Sequence, residues 1–341
     1  MKIYDLRSDT ITLPSRDMRK AMYRADVGDD VYGEDPSVNA LQELACRITG
    51  KGDALFVPSG SMANLIAIYL GCGRGCEVIT QKNSHIVHYE LGSAAAIAGA
   101  TVVPVPAERG ILSPESVAPY LRDDPSHNPM SKMIEIENTH NREGGTCYKL
   151  DELKRLYDFA RKRGLTVHMD GARIFNASVA TGVPVKRMAA YADTMSFCLS
   201  KGLGAPVGSL ICGTPQFIKE ARRIRKMLGG GMRQAGILAA AGIYALEHNI
   251  ERLSIDHQNA KSLAQALSET TWAEIDPNGV ETNIVCFRTP TTSASSVVNA
   301  LKKRRVLCST MDRDVVRLVT HLNISQEDIE GVCAIIRDLK V

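Results

Sequence analysis

From residue 54 to about residue 245, short apolar runs alternate with helical patterns, and that alternation is the strongest constraint on the fold. The runs are Ala54–Val57, Glu77–Thr80, Thr101–Val105, Met133–Glu137, Leu165–Asp170, Thr194–Ser200 and Ser209–Cys212. Helical stretches lie between most of them. In Ser37–Gly50, for example, Val38, Leu41, Leu44, Ala45 and Ile48 share one face. A strand reached through a helical crossover runs parallel to the one before it, so an α/β architecture is expected, with a mostly parallel sheet and helices on both faces. Ligands of such sheets bind beyond the carboxyl ends of the strands. After about residue 245 the pattern restarts as a smaller unit. It should hold a helix to about Thr270, strands at Thr282–Arg288, Arg305–Ser309 and Val315–Thr320, and helices at Ser295–Lys303 and Ser325–Leu339.

Two strand ends carry complementary chemistry. Thr194–Ser200 delivers Lys201 into a stretch containing Gly202, Gly204 and Gly208, expected to be a loop too small and flexible to cover the amine. A desolvated amine gives up its charge readily and can attack a carbonyl carbon. Leu165–Asp170 ends in an acid. Taken singly, Lys201 reads as a solvated loop lysine, and Asp170 as an N-cap over Gly171 and Ala172. Taken together they are the two groups that pyridoxal phosphate requires: a lysine for its aldehyde, and a carboxylate that keeps its pyridine nitrogen protonated. Ser59-Gly60-Ser61, between a strand and an apolar helix, adds free N–H groups suited to a phosphate. The Gly-x4-Gly-Lys-Ser/Thr pattern of a nucleotide loop is missing. Two residues add further chemistry. His85 offers a planar ring that can stack on a pyridine or move a proton. Arg317 places a charge inside an apolar strand, where it needs a partner.

The segments His168–Asn176 and Ser196–Gly208 resemble those of the L-threonine aldolases, fold-type I pyridoxal-phosphate enzymes of the β-eliminating lyase group, and the resemblance runs nearly end to end. It implies a large domain, residues 1–245, with a mostly parallel seven-stranded sheet flanked by helices, and a smaller C-terminal α/β domain, residues 246–341, on which the first residues can also pack. It implies cleavage of L-threonine, L-allo-threonine or a related β-hydroxy-α-amino acid to glycine and an aldehyde. An aldolase for a bulkier β-hydroxy amino acid and a related β-eliminating lyase are the alternatives.

The resemblance also implies roles for particular residues. Lys201, Asp170, His85 and His127 form the catalytic set, with His85 over the cofactor face and His127 placed by standing ten residues ahead of Glu137. Ser59, Gly60 and Ser61 hold the phosphate, Ser61 replacing a threonine of the family pattern. Arg173 serves both cofactor and substrate, and with Arg317 and Ser8 it takes the substrate carboxylate. Tyr32 lies near the substrate, and Tyr89, one helical turn after His85, is expected to face the same pocket. Lys226 and Arg233 reach across a dimer interface to the cofactor phosphate, which makes the sites shared in a homodimer or homotetramer. The base for the β-hydroxyl stays open among His85, His127 and a water.

Composition excludes other classes. Hydrophobic residues are 44% and charged residues 23%, and a net charge of +3 is spread without a long basic block, so nucleic acid is not an expected partner. The densest run, Arg222–Lys226, interleaves with apolar residues and reads as a helix face. An odd nine cysteines do not suit a disulfide framework, and Cys72 and Cys76 lack the companions of a zinc site. With neither a signal pattern nor an apolar run of membrane-span length, a soluble cytoplasmic protein is expected. The alanine-rich Gly92–Gly99 should be a buried helix. Gly229–Gly231 should be either a second anion site or a close backbone contact.

Overall fold

The computed structural model describes every residue except Met1, Asp123, Pro125 and Val341. Its main sheet has seven strands: β2 (Asp53–Val57), β3 (Glu77–Gln81), β4 (Thr101–Val105), β5 (Ser131–Glu137), β6 (Thr166–Asp170), β7 (Thr194–Cys198) and β8 (Ser209–Gly213). A short β1 (Tyr4–Asp5) precedes them outside this sheet. The order is β2-β8-β7-β6-β5-β3-β4, and only β8 runs against the rest. The parallel sheet read from the alternation is therefore present, with one antiparallel member. That member follows from the short β7–β8 link, which contains no helix to carry the chain back.

Helices α1 (Arg16–Tyr23), α2 (Pro36–Thr49), α3 (Gly60–Gly71), the short α4 (His85–His88) and α5 (Pro114–Val117) fill the first half. Then come α6 (Leu150–Lys162), α7 (Ile174–Thr181), α8 (Val185–Ala189), α9 (Pro215–Met227) and α10 (Gly236–His248). Ser15 accepts from Met18 N, Asp35 from Val38 N, and α2 stops at left-handed Gly50. A broad core of β-strand side chains such as Phe56, Ile134, Met169 and Phe197 is covered by helix residues including Leu41, Leu153 and Ala239.

A second core gathers Leu6, Leu263, Phe287, Leu301, Val316 and Ile336. It is built from α11 (Leu253–Ser268), β9 (Ile284–Arg288), α12 (Ala294–Lys303), β10 (Val306–Leu307), β11 (Ser309–Thr310), β12 (Val315–Val319) and α13 (Gln326–Asp338). The strand expected over Arg305–Ser309 is divided between two sheets. β10 pairs in parallel with β1, while β11 pairs antiparallel with β12. The amino-terminal segment competes for this edge, since Leu6 buries in the second core and its carbonyl accepts from Val319 N at 2.8 Å.

One other expectation changes, and two more gain detail. The alanine-rich stretch is one π-type turn, Ala94–Ala98, with Leu91 and Ile97 exposed and only Ala94 and Ala98 of the turn buried. Left-handed Leu91 and Gly92, at φ 54° and 69°, set it apart from α4 and leave it on the surface. On the helix face of Arg222–Lys226, Arg225 is buried and donates to Asp30 at 2.6 Å and to the Phe56 carbonyl at 2.7 Å. Gly230 is a close backbone contact, since a Cβ there would lie 2.4 Å from the Met62 sulfur. Among the described residues no helix is long and apolar enough to cross a membrane, and all nine cysteines are unpaired.

Candidate active site

Beyond the carboxyl ends of β3, β5, β6 and β7 lies a cavity of about 300 Å³, closed on one side by the β11–β12 hairpin. Ser8, His85, Tyr89, Arg173, Lys201 and Arg317 line it, together with Asn141 and Met311. Residues read separately from the sequence thus converge on one space.

Lys201 stands three residues past β7, its own carbonyl held by Thr12 Oγ1 at 2.9 Å and by Gly204 N at 2.9 Å. The loop after it is packed rather than flexible. Gly202 through Ala205 are buried, and a Cβ on Gly208, at φ 105°, would lie 2.4 Å from the Phe56 ring. The glycines let neighbouring side chains close over the loop, so the lysine's backbone is fixed.

Asp170 ends β6 and is buried. Its Oδ2 accepts from Asn64 Nδ2 at 2.7 Å, and its Oδ1 accepts from Ala172 N at 2.9 Å. The capping contact and the buried acid are therefore both real. Burial alone would raise this carboxyl; the His85 ring, the Lys201 ammonium and the Asn64 amide outweigh it and hold the group below the usual carboxylate range. Asn64 is the hub beneath it, its Oδ1 taking bonds from Ser196 Oγ at 3.0 Å and His168 Nε2 at 3.1 Å. Burial keeps His168 neutral, with its pKa down to about 4. Behind them Glu135, bonded by Thr80, is pushed well above the carboxylate range by burial and by Asp170.

His85 opens α4. Its backbone N–H donates to Glu137 Oε2 at 2.8 Å and its Nδ1 lies 2.8 Å from Glu90 Oε1. Tyr89, one turn on, sits with its ring 5.4 Å from that of His85, its hydroxyl accepting from Arg142 Nη1 at 2.8 Å.

On the opposite wall Asp9 forks Arg173 with two bonds of 2.7 Å. Burial works against the Asp9 charge, but the guanidinium holds its carboxyl at about 2. Arg317 Nη1 donates to Asn141 Oδ1 at 2.8 Å, and Arg173 reaches the same oxygen at 3.5 Å. Two guanidinium groups thus share one amide oxygen, an excess of donors that suits a carboxylate ligand. Ser8 caps the turn Asp9–Ile11 beside them, accepting from Thr10 N at 3.2 Å.

Ser59, Gly60 and Ser61 open α3, Ser59 Oγ accepting from Met62 N at 3.2 Å. A Cβ on Gly60 would lie 3.0 Å from Cys198 Sγ, so this turn abuts the end of β7. These residues fit pyridoxal phosphate. A buried carboxylate bonded only by neutral groups needs a cation, Asn64 of the helix that Ser59–Ser61 open with free N–H groups bonds that carboxylate, and the Lys201 amine lies near enough to act on its charge.

Neither Asp170 nor Ser59–Ser61 is among the residues lining the cavity, and four further named residues are exposed away from it in their own chain. His127 lies in the exposed loop ahead of β5, and the whole strand separates it from Glu137 and the cavity. Standing ten residues ahead of Glu137 sets it before the strand, at the edge of the sheet opposite the cavity. Tyr32 is 75% exposed in a turn braced against Arg233, whose guanidinium binds Asp29 at 2.9 Å and whose carbonyl takes Asp30 N. Lys226, at the end of α9, is exposed as well.

Asp9, Asn64, Glu90 and Asn141 escaped the sequence reading. Asn64 had a signal, being an amide inside an apolar helix where a polar group must find partners. The Asp9–Arg173 pair joins residues far apart in the chain and leaves no local trace.

A sequence profile of the family described as Beta-eliminating lyase matches residues 5–290. Over 331 residues the chain is 46% identical to the low specificity L-threonine aldolase of Escherichia coli (strain K12), covering 97% of each. It is 41% identical over 336 residues to low-specificity L-threonine aldolase 1 of Arabidopsis thaliana, covering 96% of this chain and 94% of that one. Among solved structures a threonine aldolase of Leishmania major matches with a TM-score of 0.84 over 98% of both chains, at 20% identity, a likeness of fold. On the strength of the profile and of these relatives, the chain belongs to the beta-eliminating lyase family and groups there with the low-specificity L-threonine aldolases.

Proposed function

We propose that the protein is a pyridoxal-phosphate-dependent aldolase. It cleaves the Cα–Cβ bond of L-threonine, L-allo-threonine or a close β-hydroxy-α-amino acid to glycine and an aldehyde. The carrying observation is the convergence of Lys201 and His85 on the same cavity as the Arg173–Arg317 wall, with the buried Asp170 carboxylate close enough for both to hold its charge. Bound pyridoxal phosphate supplies a ring that accepts the electron pair released from the broken bond. Asp170 offers its carboxylate to the ring nitrogen, and Lys201 offers its amine to the aldehyde. Ser59, Gly60 and Ser61 take the phosphate through N–H and hydroxyl groups. Arg317 and Arg173, held by Asn141 and Asp9, fix the substrate carboxylate with Ser8, and so set which Cα bond breaks. With His127 away from the cavity of its own chain, the β-hydroxyl proton passes to His85 directly or through a water.

Residues 1–245 and 246–341 are taken as two domains with the cavity between them. The exposed Tyr32, Lys226 and Arg233 are assigned to the site of a second copy, where the two cations meet the phosphate, in a homodimer or homotetramer. A cytoplasmic setting suits the nine unpaired thiols.

Steady-state kinetics on L-threonine, L-allo-threonine and β-phenylserine test the substrate class. We expect turnover of both threonine diastereomers. Turnover of the phenyl compound alone would assign the enzyme to bulkier substrates, and turnover of none would overturn the function.

A further inference from the structure

Glu90 has no part in the reaction as described so far, yet it is the acid nearest the His85 ring. It is 5% exposed and does not line the cavity. Its Oε1 faces two groups: Asn64 Nδ2 at 2.9 Å and His85 Nδ1 at 2.8 Å. The Asn64 amide cannot be turned the other way. Its oxygen already receives Ser196 Oγ and His168 Nε2, and its nitrogen also serves Asp170. Glu90 Oε1 is therefore an acceptor, and His85 Nδ1 carries the hydrogen between them. Nε2 remains as the ring nitrogen available to a molecule in the cavity.

We propose that Glu90 is a positioning residue: by accepting from Nδ1 it fixes the tautomer and orientation of His85, so that Nε2 takes the β-hydroxyl proton of the substrate. This rests on the aldolase reading above. The proton moves from the hydroxyl oxygen to Nε2, and the electron pair left on that oxygen closes the C=O bond of the departing aldehyde. The pair of the Cα–Cβ bond stays with Cα, where one returned proton completes glycine.

The charges around the ring agree with this role. Burial lowers the affinity of His85 for a proton, but the bond to Glu90 and the Asp170 charge outweigh it and raise its pKa above the usual imidazole value. From the other elements, Lys201 opposes that rise, Glu137 binds the His85 backbone, and Glu135 and the neutral His168 lie behind Asp170. Burial, followed by the Asp170 charge, also lifts Glu90 above the carboxylate range, against the pull of the His85 bond. A base that must be free to accept a proton near neutral pH and then hold it gains from such a partner.

The test uses holoenzyme labelled with ¹⁵N-histidine, His85 being assigned from the signal lost in His85→Asn. Nitrogen shifts report tautomer and titration directly, without turnover. Glu90→Gln keeps the shape and removes the charge. We expect the His85 titration to move down by about one pH unit or more, and the acidic limb of the kcat profile to move with it. kcat should fall at least about tenfold while KM for L-threonine stays within about twofold, as for a group acting in the transition state. Glu90→Asp should restore most of the loss. In a His85→Asn background Glu90→Gln should cost nothing further, because it acts through that ring. An unshifted His85 titration in an active enzyme, or losses that multiply in the double variant, would overturn the role of Glu90. A wild-type enzyme that cleaves no β-hydroxy amino acid, with the titration shift intact, would overturn the aldolase reading instead.

Discussion

Asp9 and Asp170 are both buried carboxylates on this site, yet only one was legible in the sequence. Asp170 announces itself by ending an apolar strand, and Lys201 by preceding a run of glycines; each signal is local. Asp9 sits in an ordinary polar stretch, and its meaning comes from Arg173 folding onto it. Replacing Lys201 with Ala should abolish turnover while the fold survives. Borohydride should fix the cofactor to Lys201 in the parent protein, read as one labelled peptide, and a label on another lysine would contradict this assignment. Asp170→Asn should lower kcat by about a hundredfold, roughly 3 kcal/mol in the barrier, since an amide is a poor partner for a ring cation; unchanged turnover would leave Asp170 as a cap alone. Asp9→Asn should be costlier to stability than to chemistry. It leaves the Arg173 guanidinium buried without a counter-charge, worth about 3–5 kcal/mol, which a denaturant titration would measure. The sign with pH follows from the lowered pKa. Asp9 stabilises the fold fully above its ordinary 3.8, and that contribution disappears as pH falls through about 2. The variant's stability deficit should therefore shrink in strong acid.

At the scale of elements the alternation of strands and helices was readable nearly throughout, because each main strand is a separate apolar run with its own breakers. What could not be read was which neighbour a strand chooses. Arg305–Ser309 has one continuous β pattern, but the amino-terminal strand takes half of it. The loop after Lys201 differs from expectation for a related reason: a run of glycines reads as a flexible loop, whereas here the glycines admit Phe56, Leu253 and Leu322 to close contact. Gly208→Ala tests that view. Both the left-handed backbone and the Phe56 ring oppose a methyl group, so the midpoint of thermal unfolding should drop, and cofactor affinity should weaken because Lys201 is displaced. An unchanged melting curve with full affinity would mean the loop yields freely.

For the molecule as a whole, one chain supplies the amine, the buried acid and the carboxylate wall, but the Ser59–Ser61 turn carries no cationic side chain of its own. Arg233 and Lys226 lie exposed elsewhere, and a two-fold assembly is the simplest way to bring them in. Mixing Lys201→Ala chains with Arg233→Ala chains under subunit exchange should recover activity, since one site of each hybrid dimer has both residues intact. Confirmed hybrids without recovery would refute the shared site. The expectation of a shared site came from the family resemblance and not from local pattern, because a partner's residue would leave no mark on the segment it serves. Cleavage of the Cα–Cβ bond can be tested most directly by following holoenzyme and L-threonine in D₂O by NMR. We expect acetaldehyde and glycine in equal amounts, the glycine carrying solvent deuterium at Cα, and no reaction in Lys201→Ala. Ammonium with a 2-oxo acid, or threonine left intact, would contradict an aldolase.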